Sequence, residues 1–256
     1  MSSPDTARGQ KRRRPDRARR AAFDALRAVN SDGAYANLVL PALLRERRLA
    51  GRDAAFATEL LAGTCRWQGS YDKIIAAAAG RPLKDFQPAV VDLLRLGAHQ
   101  ILAMRVPTPA AVAAGVDLAA VTVGERVAGL VNAVLRRIAE RSLDEWLDQL
   151  SEGLDDHDRL ALRTAHPRWI VDAYADLLKP SELEQALAAN NLSPAISLAV
   201  RPGLAEVDDL VRAGAEPTAY SPFGARWRGD PAELAHVRDG RVGVQDEGSQ
   251  LVTWAL

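Results

Sequence analysis

From Arg19 to Arg141 the apolar residues recur at helical spacing, and only beyond Asn190 does the period change. Phe23, Leu26 and Val29 share one helix face; Leu40, Leu43, Leu44 and Arg47 share a second. Phe56, Leu60, Leu61 and Thr64 line a third behind Asp53, and Tyr71, Ile74, Ile75 and Ala78 a fourth behind Ser70. The fifth opens at Pro88 and carries Val91, Leu94, Ala98 and Ile101. The sixth opens at Thr108-Pro109, an N-cap followed by proline in the first turn, with Val112, Val116 and Ala119 inward. Val127, Leu130, Val131, Val134, Leu135 and Ile138 form the seventh. The spacing predicts a mainly α protein whose residues 18–141 form an all-helical bundle of about seven helices with short loops.

Residues 142–192 read as a helical linker. Ser142-Leu143-Asp144-Glu145 and Ser181-Glu182-Leu183-Glu184 both fit a capping box. Between them Pro167 opens a helix with Ile170, Val171, Tyr174 and Leu177. Ile196, Leu198 and Val200 then alternate in a strand that ends at Pro202; Val207, Leu210 and Val211 suggest a helix, and Arg241 to Gln245 another strand. Residues 193–245 are therefore expected to form a small α+β, RRM-like subdomain, with a boundary near Asn190. The final stretch, 246–256, is apolar and helix-patterned, with Leu251, Val252, Trp254 and Ala255, and reads as the start of a further domain.

The formal net charge is zero, but it is unevenly spread. Residues 1–20 hold eight basic and two acidic side chains, a net of +6, which leaves −6 on the rest. Residues 1–17 lack any apolar period and read as a disordered basic arm, suited to a polyanion or simply to solubility. A single cysteine, Cys65, excludes an internal disulfide and any multi-cysteine metal site, and the four histidines show no ligand spacing, so no metal is expected. No stretch approaches a membrane span or a secretory signal, which makes the cytoplasm the expected compartment.

Three stretches carry a resemblance. Gly33-Ala34-Tyr35-Ala36-Asn37, Leu93-Leu94-Arg95-Leu96-Gly97-Ala98-His99-Gln100 and Gly129-Leu130-Val131-Asn132-Ala133-Val134-Leu135-Arg136 together resemble the NusB family of all-helical, RNA-binding antitermination factors. His166-Pro167-Arg168-Trp169-Ile170-Val171, with Asn190-Asn191, resembles the linker of RsmB/Sun ribosomal RNA methyltransferases. Val244-Gln245-Asp246-Glu247-Gly248-Ser249 resembles that family's approach to its S-adenosylmethionine domain, with Gly248 in place of the usual alanine. The resemblance implies RNA-binding modules of an enzyme that methylates carbon-5 of a cytosine in small-subunit ribosomal RNA. Its chemistry uses a cysteine nucleophile on a flipped base and a second cysteine for release. The family's cofactor loop and Pro-Cys motif are absent here, and one cysteine is too few. The resemblance therefore implies a parent that uses S-adenosylmethionine, and a stretch truncated before the catalytic domain that neither binds the cofactor nor transfers methyl groups.

The candidate RNA contacts are Lys11, Arg12, Arg13, Arg14, Arg17, Arg19 and Arg20 in the arm, and Arg66, Arg136 and Arg137 at helix ends, where cations also suit the dipole. Cys65 reads as a small buried hydrophobe, and Trp169 and Trp254 as core. Trp227, in the aromatic and basic stretch Phe223 to Arg228, is a candidate for stacking on RNA. Asn132 reads as a structural tie between two helices. The alternatives are a stand-alone NusB-like protein of antitermination or ribosome assembly, which would end near Arg141, and an interaction domain with no RNA role.

Overall fold

The computed structural model describes residues 16–192 and 195–256; Lys11, Arg12, Arg13 and Arg14 lie outside it. The chain divides into two units, one up to Asn191 and one from Leu192. The first contains α1 (Arg17–Asp32), α2 (Ala36–Glu46), α3 (Gly51–Ala79), α4 (Pro88–Leu102), α5 (Thr108–Thr122) and α6 (Glu125–Ile138). It continues through α7 (Leu143–Ser151), α8 (Asp156–Arg163), α9 (Arg168–Ala175) and α10 (Pro180–Asn190).

Among the described residues, six α-helices rather than about seven precede Arg141, because the expected third and fourth are one 29-residue helix. Ser70 does not cap a new helix. It lies buried mid-helix and donates its hydroxyl to the Leu162 carbonyl at 2.7 Å. At the other end, α1 starts at Arg17, inside the expected arm, because the Asp16 carboxylate accepts from the Arg19 N–H at 2.8 Å. Gly33 then ends α1 in the left-handed region at φ 67°, a conformation that glycine adopts without steric cost.

One apolar core joins α1, α3, α4 and α6 through Phe23, Leu26, Leu60, Ile74, Leu94 and Leu135, and it includes Trp146 of α7. A polar network runs along its edge. Asp92, fully buried on α4, accepts from Arg27 Nη1 at 2.7 Å, Asn30 Nδ2 at 2.7 Å and Arg95 Nη1 at 3.0 Å. Arg95 also grips Asp72 of α3 with two 2.7 Å bonds. These charge-assisted bonds fasten three helices at fixed register.

His99 is buried one turn further along α4, with Nδ1 2.8 Å from the Tyr71 hydroxyl and Nε2 3.9 Å from the Glu59 carboxylate. A Cβ on Gly63 would stand 2.1 Å from His99 Nε2, so α3 approaches this ring only through a glycine. Burial, and then the nearby Arg66 charge, push the imidazole down to about 4 from its ordinary 6.5. The folded chain therefore keeps His99 neutral while the unfolded chain takes up a proton. Stability should be fully present above about pH 6.5 and fall as the pH drops toward 4, by on the order of 3 kcal/mol. Urea midpoints of the wild type and His99→Gln across this range check it: the variant should lose most of the slope, and an unchanged slope would place the titration elsewhere.

In the linker, Ser142 closes its capping box with Glu145. The second expected box is displaced: α10 starts at Pro180, and Glu182 accepts from the Lys179 N–H at 3.2 Å. Val171, Leu183 and Leu187 form a small core between α9 and α10. Leu177 lies beyond the end of α9 and is exposed.

The second unit follows the order β1 (Ile196–Val200), α11 (Val207–Arg212), β2 (Glu216–Pro217), β3 (Gly224–Trp227), α12 (Ala235–Arg238), β4 (Val242–Val244) and α13 (Glu247–Ala255). The sheet order β2-β3-β1-β4, antiparallel throughout, with a helical crossover after β1 and another before β4, is the RRM-like split βαβ arrangement. Leu198, Val200, Ala225 and Val242 face its core with Leu210 of α11. The final stretch belongs to this unit. Gln250 of α13 is buried, donates to the Leu198 and Gln245 carbonyls, and accepts from the Ser221 hydroxyl.

Candidate functional site

A cleft of about 620 Å³ opens in the first unit between the bundle and the linker helices. Val29 and Asn30 of α1 with Cys65, Arg66, Gln68, Ser70, Asp72 and Lys73 of α3 form one side; Asp158, Ala161 and Leu162 of α8 and the turn Ala165-His166-Pro167-Arg168 form the other. The Ser70–Leu162 hydrogen bond spans its floor. Ala165 adopts φ 57°, a left-handed geometry that costs a non-glycine residue about 1 kcal/mol. A clasp around the turn holds it there. His166 Nδ1 must donate to the Thr164 carbonyl at 2.7 Å, which leaves Nε2 to accept from Asn190 Nδ2 at 3.4 Å. Asn191 donates to the same Thr164 carbonyl. Two separate parts of the second sequence motif thus meet at one wall of the cleft.

Charges at the cleft are unequally committed. Asp72 is held by Arg95, and Asp158 by Arg168, which also binds Asp155 and Asp172. Arg66 and Lys73 form no hydrogen bond or ion pair with another described residue. Cys65 is half-buried in the wall, and burial first, then Asp92, raise its thiol above the ordinary range, which makes it a slow nucleophile.

The expected cations do not converge. Arg66 lines this cleft, Arg136 lines a second one beside α5, and Arg137 lines a third with Gly80 and Trp146. Arg136 donates to Asn132 Oδ1 at 3.2 Å within α6, so Asn132 ties one turn of its own helix and not two helices. Arg137 donates to the Ala78 carbonyl. In the first turn of α1, Arg17 bonds the Arg47 carbonyl and Arg20 grips Asp24. Arg19 folds inward onto Gln100 at 2.6 Å and over the Phe56 ring. Of these three, Arg17 is the exposed one.

The tryptophans reverse their expected roles. Trp169 and Trp254, expected in the core, are 68% and 63% exposed, because each falls on the helix stripe opposite the packed one. Trp227, the stacking candidate, pairs with Ile196 across the sheet and packs against the core. The opposite sheet face carries Arg226, and Glu247 of α13 lies 3.9 Å from it. The third motif acts as a latch here: Asp246 caps α13, and Glu247 accepts from the N–H groups of Tyr220 and Ser221, which hold its carboxyl below the usual range.

Sequence reading missed Asp92, His99 as a buried group, and Lys73. For Asp92 a signal existed, a single carboxylate inside the apolar run Val90 to Leu94. Among the described residues no group of His, Cys, Asp and Glu is arranged to hold a metal ion, and no helix is long and apolar enough to cross a membrane.

Residues 16–140 match the model of the NusB family. The chain is 50% identical over 256 residues to a protein of Mycobacterium tuberculosis named as a methyltransferase, covering 98% of this chain and 56% of that one. It is 35% identical over 245 residues to ribosomal RNA small subunit methyltransferase B of Pseudomonas putida, covering 91% and 53%. The chain thus spans just over half the length of these relatives. The solved structure of the protein PH0851 aligns with a TM-score of 0.66 at 16% identity, over 94% of this chain and 55% of that one, a likeness of fold.

Proposed function

Because the chain carries a NusB-family domain over residues 16–140 and is a relative of the ribosomal RNA small subunit methyltransferases, we propose that it is the RNA-docking region of such an enzyme, acting on small-subunit ribosomal RNA. The carrying observation is that similarity runs through 91% of this chain, well past residue 140, which sets aside the stand-alone NusB-like reading. S-adenosylmethionine is the methyl donor of the proposed parent, and cytosine carbon-5 its target. This chain supplies binding and positioning. Its single cysteine sits in a raising environment in the wrong module for attack on a base.

The arm makes most of the phosphate contacts in this reading, and Arg17 continues it onto α1. Replacing Arg12, Arg13, Arg14 and Arg17 with serine should lower the slope of log affinity against log salt by up to about 3, at about 0.7 to 0.9 per lost contact. The loss should be similar across RNA sequences, since phosphate contacts position without specifying. The unsubstituted chain, given labelled S-adenosylmethionine and undermethylated small-subunit RNA, should incorporate no label. An unchanged slope would reduce the arm to a solubilising tail, and clear incorporation would overturn the assignment of this chain to docking alone.

A further inference from the structure

Resting on the RNA reading above, we propose that the cleft between α1, α3 and the α8–α9 turn holds one nucleotide of a single RNA strand, with Arg66 and Lys73 taking its phosphates. The volume, about 620 Å³, falls in the range of small-molecule sites. Its polar lining favours an anion: the lining carboxylates Asp72 and Asp158 are each engaged by an arginine, while Arg66 and Lys73 form no hydrogen bond or ion pair with another described residue. Val29, Ala161, Leu162 and Pro167 offer apolar surface for a base, and Gln68, also unengaged, offers an amide that can donate and accept. The Ser70–Leu162 bond and the His166 clasp hold the walls in place without a ligand. Preformed walls lower the ordering cost of binding.

The residues from Asp158 to Arg168 lie outside the NusB-family match, so one whole wall is supplied by the linker helices. The linker then does more than join two modules: it completes a site that the family domain alone lacks. A single strand, not a duplex, fits a cleft of this size, since a splayed nucleotide presents its base and phosphate together.

Cys65, the chain's single cysteine, lines the cleft half-buried; its raised thiol labels slowly, and a further slowing of that rate reports occupancy. The full chain is labelled with N-ethylmaleimide, and the rate is followed by mass spectrometry with and without an unstructured hexaribonucleotide. The hexamer should slow labelling at saturation. Arg66→Gln with Lys73→Gln should weaken hexamer binding roughly 25-fold at 0.1 M salt and lower its salt slope by about 1.4, at about 0.7 per single-strand contact. A thermal melt by circular dichroism confirms that the double variant is folded, and Lys73→Gln alone, at an exposed position, should retain half of the slope effect. A chain with Arg12, Arg13 and Arg14 changed to serine should bind the hexamer more weakly yet still show Cys65 protection at saturation. Equal protection by inorganic phosphate at matched occupancy would make this a small-anion site and overturn the proposal. RNA binding that persists with Cys65 unprotected and the double variant unaffected would overturn it while leaving the docking function intact. Failure of the full chain to bind any RNA would overturn both.

Discussion

Replacing Asp92 with alanine should destabilise the helical unit by about 3–5 kcal/mol, the usual result of removing one partner from a buried ionic network. The carboxylate is 1% exposed and accepts from three donors on two helices. Arg27 and Asn30 lie on α1 and Arg95 on α4, while Arg95 also reaches Asp72 on α3. Alanine would leave Arg95 half-matched and Arg27, whose side chain is 28% exposed, with no carboxylate beside it. Asp92→Asn keeps one acceptor and the shape, so it should cost less than alanine. Urea denaturation measures both, with the midpoint shifted and the m-value unchanged. A loss below about 1 kcal/mol for alanine would mean that the network behaves as an ordinary surface pair.

Trp146→Ala should cost a similar amount, about 3–5 kcal/mol, through the cavity left by an indole in a packed core. Trp146 is 3% exposed, packs with the bundle core, donates Nε1–H to the Ile138 carbonyl at 2.9 Å, and lies under the Arg141 guanidinium. Trp146→Phe retains most of the apolar contact and loses the hydrogen bond, so its cost should be nearer 1 kcal/mol. The contrast decides where the bundle ends. The family match stops at residue 140 and the periodic reading at Arg141, yet the core extends into α7. A chain cut after residue 141 should therefore melt well below one that continues to residue 191. Equal melting temperatures, or a Trp146→Ala loss near zero, would show α7 to be a dispensable appendage.

Both effects concern residues that position the cleft. Asp72 and Asn30 line it, and each is held by the Asp92–Arg95 network. α7 leads directly into α8, which supplies the opposite wall. Loss of either anchor should thus affect RNA affinity through the cleft geometry before the unit unfolds.

The sequence by itself determined what depends on neighbours within a helical turn or a strand pitch. The inward stripes Phe23-Leu26 and Val131-Val134-Leu135-Ile138, the Ser142 capping box, and the alternation of Leu198 and Val200 are all local signals, and all of them hold. The motif stretches identified the family, because residue identity at fixed spacing survives without knowledge of contacts. Only the tertiary structure decided that α3 runs through Ser70, since the hydroxyl that reads as a cap is satisfied by Leu162, 92 positions away. Only it turned Trp169 and Trp254 outward and Trp227 inward, since an amphipathic stripe says which residues share a face but not which face meets a partner. Asp92 finds Arg27 across 65 positions, and Gly63 makes room for His99 across two helices. The cleft joins α1, α3 and the α8–α9 turn, segments with no common local pattern. Local periodicity carries the free energy of burying a stripe; the choice of partner for a buried charge, or of a wall for a cleft, is made by chain segments that meet only after folding.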